Sequence, residues 1–217
     1  MAYYGGGGVG GMVGKCCGSC CGFVFAIGFI VLIYWAIFQP HHIRATVESA
    51  TLSNLAVVST NASSSAAAAA VSYSLAVRLG LYNPSLRVTI YYDTLDAELR
   101  FRDDAVIGPA ANNTSPSVFF QRGRTGDEVK LEFEYGRPGV AVAGDVAGEL
   151  EKEMKRGGPV RLELHVHARV RYVFRMFKLR QKPRIRCSLS IPVRAEGRRS
   201  GVVGGDLSSG DRCRVKY

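Results

Sequence analysis

The sequence predicts an all-β fold, an antiparallel β-sandwich with one short helix, preceded by a single transmembrane helix. Three observations predict it. The run from Gly22 to Phe38, GFVFAIGFIVLIYWAIF, carries no charge. Five later stretches alternate apolar and polar residues with a period of two, the mark of half-buried strands. Clusters of Gly, Pro and Asn punctuate those stretches and suit the turns of an antiparallel sheet.

Taken in order, residues 1–15 are too rich in glycine to bury a core and are expected to form a flexible tail. Ala2 rules out N-myristoylation at that position. Residues 16–40 are expected to hold the membrane helix. At about 1.5 Å per residue, Gly22 to Phe38 covers roughly 26 Å, and the uncharged Cys16 to Cys21 segment extends it across the roughly 30 Å hydrocarbon layer. Tyr34 and Trp35 fall where amphipathic rings favour the headgroup boundary, and Pro40 follows the helix end. A cleaved signal peptide is the alternative; the length of the run and the lack of a small-x-small cleavage site close behind it count against that. Cys16, Cys17, Cys20 and Cys21 crowd the N-terminal edge of the span. Four thiolates beside a membrane helix make a poor tetrahedral metal cage, whereas juxtamembrane cysteines are the usual S-acylation acceptors. Inert small hydrophobes are the remaining reading.

Residues 41–217 suit one domain of ordinary size. Val47 to Val58 reads as a first strand, and the low-complexity Ser59 to Ala70 as a surface loop. Val71, Tyr73, Leu75, Val77, Leu79 and Leu81 then share one face, with Ser72, Ser74 and Arg78 on the other. The pattern recurs over Leu95 to Phe101, Val129 to Tyr135, Val160 to Val170 and Ile185 to Val193. Val146, Leu150 and Met154 are instead spaced for a helix, which Asp145 would cap and Gly157-Gly158 would end. Two sheets with about seven strands fit this length.

The net charge is +10, and from Lys155 to Tyr217 there are 17 Lys+Arg against 4 Asp+Glu. Such a balance favours acidic partners: anionic lipid headgroups or acidic wall polymers. Nucleic acid is not expected as a partner, since no binding motif is present. The basic tract Arg169 to Arg186 interleaves cations with Tyr172, Phe174, Met176 and Phe177; it reads as the exposed side of two strands and their connection, or as an anionic contact. For Cys187 and Cys213 an oxidising compartment would permit a bridge, and the cytosol would leave two thiols. Charges flanking the span are close to balanced, so they do not orient it. Sequons at Asn61, Asn112 and Asn113 are candidate N-glycosylation sites, and all lie on the C-terminal side, which favours an extracellular domain.

Little here could carry catalysis. His165 and His167 are two apart on a strand and share a face with Arg161, Glu163, Arg169 and Arg171, which reads as a solvated surface without a third metal ligand. His41 and His42 are interfacial, and Asp103-Asp104 reads as a turn. Gly5 to Gly8 and Gly204-Gly205 lack the context of a phosphate cradle. No enzyme activity, metal or cofactor is expected.

The strand ending at Tyr82 runs into Asn83-Pro84-Ser85, then five residues, then Tyr91-Tyr92-Asp93. This resembles the Asn-Pro-Asn-(x)5-Tyr-Tyr-Asp signature of the plant NHL family, the non-race-specific disease resistance and harpin-induced-like proteins, with Ser85 in place of the second Asn. Phe119-Phe120-Gln121 is similar to the family's Phe-x-Gln element, and the late pair Cys187 and Cys213 to its C-terminal layout. The resemblance implies a late embryogenesis abundant group 2 domain, an immunoglobulin- or fibronectin-like β-sandwich without catalytic activity. It also implies a single-pass plasma-membrane protein of plant defence, with a protein partner in signalling. An abiotic-stress-protective or lipid-contacting domain of the same fold is the runner-up. The signature itself reads as a turn former: Asn83 and Pro84 favour turn geometry, Ser85 can cap by its hydroxyl, and Tyr91-Tyr92 starts a strand.

Overall fold

The computed structural model describes residues 22–33, 42–59, 68–102, 105–110, 119–195, 202–208, 210 and 212–217. The chain divides into two compact units, Met1–Pro40 and His41–Tyr217. In the first, residues 22–33 form helix α1, with every described side chain exposed, Phe23, Phe25, Phe29 and Leu32 among them. A helix apolar on all sides has no face suited to water. Its described part amounts to about 18 Å, and among the described residues no helix is long and apolar enough to cross a membrane. The rest of the expected span, residues 34–38, lies outside the described residues, as do the glycine-rich tail and Cys16, Cys17, Cys20 and Cys21.

The second unit is two antiparallel sheets. Its strands are β1 (Arg44–Ser59), β2 (Ala68–Tyr82), β3 (Thr89–Phe101), β4 (Ala105–Pro109), β5 (Phe119–Gln121) and β6 (Gly126–Ala143). After helix α2 (Gly144–Arg156) come β7 (Pro159–Phe174), β8 (Phe177–Gln181), β9 (Arg184–Pro192), β10 (Arg194–Ala195), β11 (Val203–Leu207) and β12 (Arg214–Lys216). One sheet has the order β10-β11-β1-β2-β6; the other runs β12-β9-β7-β3-β4, with β5 on β3 and β8 on β7. Alternation places Leu75, Val77, Leu79 and Phe133 of the first sheet in one buried cluster with Leu95, Leu99, Leu164 and Leu189 of the second. Each sheet thus hides its apolar face against the other, the arrangement that removes most apolar area from water.

Four expectations are corrected. The described residues hold twelve strands against about seven expected, because β4, β5, β8, β10, β11 and β12 are too short to show a period in sequence. β6 does not stop at Tyr135: it continues past Gly136 and Gly139, and Val140 to Ala143 pair with Val71 to Ala68 across a register shift. The extra residues are absorbed as a bulge, so an apparent turn is the middle of a strand. The same pairing draws Ala68 to Ala70 out of the expected loop into β2; residues 60–67 lie outside the described residues. Finally, α2 begins two residues earlier than a helix capped by Asp145 would. Ala143 is its N-cap without a side-chain bond, and Asp145 lies in the first turn, where it complements the helix dipole. Gly157 ends the helix in the left-handed conformation at φ 67°, as the Gly-Gly pair predicts. The buried stripe is Ala147, Leu150 and Met154.

Candidate functional site

The Asn83 signature is a buried polar knot that joins three chain segments. Asn83 and Gln121 are each 0 % exposed. The Asn83 amide donates to the carbonyls of Val88 at 2.9 Å and Arg122 at 3.1 Å, and its Oδ1 accepts from the Ser85 N–H at 3.1 Å. Gln121 donates to the Leu81 carbonyl at 2.8 Å and accepts from the Tyr92 hydroxyl at 2.9 Å. Burial pushes the Tyr92 phenol well above its ordinary value, so it stays protonated and keeps donating. Here the sequence reading needs two amendments. The turn is capped by the Asn83 side chain, while the Ser85 hydroxyl, buried, has no hydrogen-bond partner among the described residues. The role of Gln121 as the partner of Tyr92 was not legible; its only local sign is an amide closing a short aromatic strand.

Alternation sends the other half of the signature outward. Asp93 accepts from Arg171 of β7 at 2.8 Å and 2.7 Å, and the same guanidinium lies over the Tyr91 ring at 5.7 Å. Tyr91 in turn meets Phe120 at 5.6 Å between ring centroids, while Tyr92 stacks on Phe119 inside. Gly123 closes this region. A Cβ there would stand 2.6 Å from the carbonyl oxygens of Ser85 and Leu86, so the β5–β6 turn can lie on the β2–β3 connection only without a side chain.

The basic tract Arg169 to Arg186 forms the end of β7, the β8 hairpin and the start of β9. Its Val170, Tyr172 and Ile185 face the core, and Arg169, Lys178, Arg180, Lys182, Arg184 and Arg186 face solvent. Sheet register extends the patch beyond the tract. Arg214 lies opposite Arg186, and Lys216 opposite Arg184. Beside them, Asp96, His167, Arg169, Lys182 and Arg184 line a notch of about 220 Å³. None of these cations, nor the exposed Arg175 between them, forms an ion pair among the described residues.

His165 departs from the expected solvated surface: it is 4 % exposed, with Nε2 3.2 Å from a Glu163 carboxylate oxygen. Its neighbours across the sheet are Glu98 and Arg186, and long side chains on both flanks cover a short imidazole. His167 stays exposed, 3.8 Å from Glu98. Among the described residues no three His, Cys, Asp or Glu side chains gather as a metal site requires. Cys187 of β9 and Cys213 are joined by a disulfide, with a Cα–Cα distance of 4.4 Å. His42 is exposed. His41, the Asp103-Asp104 pair and the sequons at Asn61, Asn112 and Asn113 lie outside the described residues.

The geometry defines a two-sheet β domain whose most constrained residues shape turns and whose most distinctive surface is cationic. No family model matches the chain. It is 26% identical over 192 residues to NDR1/HIN1-like protein 3 of Arabidopsis thaliana, covering 88% of this chain and 75% of that protein. It is 28% identical over 164 residues to NDR1/HIN1-like protein 2 of the same plant, covering 75% of this chain and 62% of that protein. The chain therefore has NDR1/HIN1-like homologues over most of its length, in keeping with the resemblance carried by Asn83, Pro84, Tyr91, Tyr92 and Asp93. A crystal structure of a protein from Archaeoglobus fulgidus covers 64% of this chain and 96% of its own at 6% identity and a TM-score of 0.28, too distant to inform the fold.

Proposed function

We propose that this chain is a non-enzymatic, single-pass plasma-membrane protein of plant defence, which presents an immunoglobulin-like, late embryogenesis abundant group 2 type domain outside the cell to a protein partner. The observation that carries the reading is the similarity to two NDR1/HIN1-like proteins, which covers 88% and 75% of the chain. Two features support the placement. Helix α1 is apolar on every side, and the Cys187–Cys213 disulfide suits an oxidising compartment. Cysteines 16, 17, 20 and 21 are then acylated beside the bilayer, and Asn61 and Asn112 are open to glycosylation.

A loss-of-function line should be more susceptible to pathogen challenge and unchanged under drought. A change in drought survival alone would replace defence with abiotic-stress protection. Protease added to intact protoplasts should digest the domain, and deglycosylation should lower its mass; full protection with no glycan would place it in the cytosol. The exposed cations of Arg169 to Arg186 favour a second contact, with anionic lipid or wall polymer, which salt would weaken.

A further inference from the structure

Three connections meet at one end of the sandwich: Asn83–Val88 between β2 and β3, Arg122–Thr125 between β5 and β6, and Arg175–Met176 between β7 and β8. Register brings them together, since Tyr82 pairs with both Arg44 and Gly126, and Thr89 pairs with Val173. Their tips carry large apolar side chains into solvent. Leu86 is 68 % exposed and Met176 90 %, and in the neighbouring strands Phe120 of β5 and Leu179 of β8 are each at 50 %. Single exposed apolar residues are ordinary, but two on adjoining connections, with two more in the short strands beside them, make an apolar end.

Cations surround that apolar end. Arg87, Arg122, Arg124, Arg175, Lys178 and Arg180 are all exposed, and none forms an ion pair among the described residues. Of the acids nearby, Asp93 is bound to Arg171, while Asp127 and Glu128 at the start of β6 are exposed. The chain also enters the domain here. The Ile43 N–H donates to the Tyr217 hydroxyl at 2.9 Å, that hydroxyl lies 2.8 Å from the one on Tyr172, and the His42 ring meets the Tyr217 ring at 4.7 Å. His42 and Ile43, where the described part of the domain begins, are therefore tied to this end.

We propose that this end of the sandwich docks on an anionic phospholipid bilayer, with Met176 and Leu86 buried at the headgroup boundary and the surrounding cations paired with lipid phosphates. The bilayer's nearness rests on the membrane-anchored reading above. Apolar tips ringed by Lys and Arg are what an interfacial surface needs, because cations bring the protein to the anionic plane and apolar side chains then leave water. An acidic wall polymer would use the cations and gain nothing from Met176, so the combination favours lipid.

The test uses the full chain reconstituted in vesicles of phosphatidylcholine, with and without phosphatidylserine. Trp35 is the only native tryptophan, so it reports on the anchor, and Met176→Trp in a Trp35→Phe background reports on the tip. The tip indole should shift to the blue and be quenched by brominated lipid in the anionic vesicles, with the effect reduced by high salt. Arg175→Glu with Lys178→Glu should lower quenching at the tip by about fivefold or more. Quenching of Trp35 without quenching at position 176 would leave the anchor standing and overturn the docking; quenching at 176 alone would do the reverse. Absence of both would overturn the two together, and binding to polygalacturonate without insertion at 176 would replace lipid with a wall polymer.

Discussion

The two ends of the sandwich solve the same problem with opposite chemistry. Both must close the gap between two sheets. At one end α2 lies over the core through Ala147, Leu150 and Met154, and three of its four acids are paired: Arg102 donates to Glu149 at 2.5 Å and to Glu153 at 2.9 Å, and Lys155 reaches Glu151 at 2.7 Å. At the other end no helix is found among the described residues. Asn83, Gln121 and Tyr92 fill the gap with buried hydrogen bonds, which frees the connections above them to carry exposed apolar side chains and unpaired cations. Closure by a buried knot leaves a surface available for contact, whereas closure by a charged helix spends it.

Breaking the knot should be the costliest change. Asn83→Ala removes the donors to the Val88 and Arg122 carbonyls and strands the buried Ser85 N–H at once, and should lower stability by about 4 kcal/mol in urea denaturation. A loss no larger than that of an exposed substitution would mean the knot is dispensable. Reduction of the disulfide, or Cys187→Ser with Cys213→Ser, opens a loop with a sequence separation of 26. It should cost about 3.5 kcal/mol by the chain-entropy relation, read as a lower urea midpoint under reductant.

Tyr92→Phe removes one buried donor and leaves the Gln121 oxygen unpaired; a loss of about 1 to 2 kcal/mol is expected. Its pH dependence has a definite sign. Burial first, then the Tyr217 and Asp127 charges, raises the Tyr92 phenol in the folded state above its ordinary 10.0. The phenol contributes full stability below that unfolded value, and the contribution falls as pH climbs above it. Wild-type midpoints should therefore drop above about pH 10, and Tyr92→Phe should soften that drop. At the helix end, Arg102→Ala should barely move the urea midpoint, because the Arg102 side chain is itself exposed, and ion pairs open to water contribute little and are screened by salt. A loss comparable to that of Asn83→Ala would erase the contrast between the ends.

Much of this is legible in the sequence. Every apolar position assigned to a face in β2, β7 and β9 is buried, from Val71 to Leu81, Val160 to Val170 and Ile185 to Val193. The helix over Val146 to Met154 and its glycine stop were legible too, though its cap was not. The signature could be read as a turn former from Asn83 and Pro84 alone. Which half of it would be buried, and that Ser85 would leave the capping to Asn83, could not.

The boundary between the two kinds of knowledge has a physical origin. Which way a side chain points along a strand follows from the period of two in the backbone, a local property that the sequence by itself determined for the long strands. Which residues become neighbours depends on the order of strands in a sheet, and that order is decided by burying all the apolar faces together. Only the tertiary structure could set Gln121 beneath Tyr92, place Arg214 and Lys216 beside Arg186 and Arg184, and gather Leu86, Phe120 and Met176 at the end where the chain enters the domain.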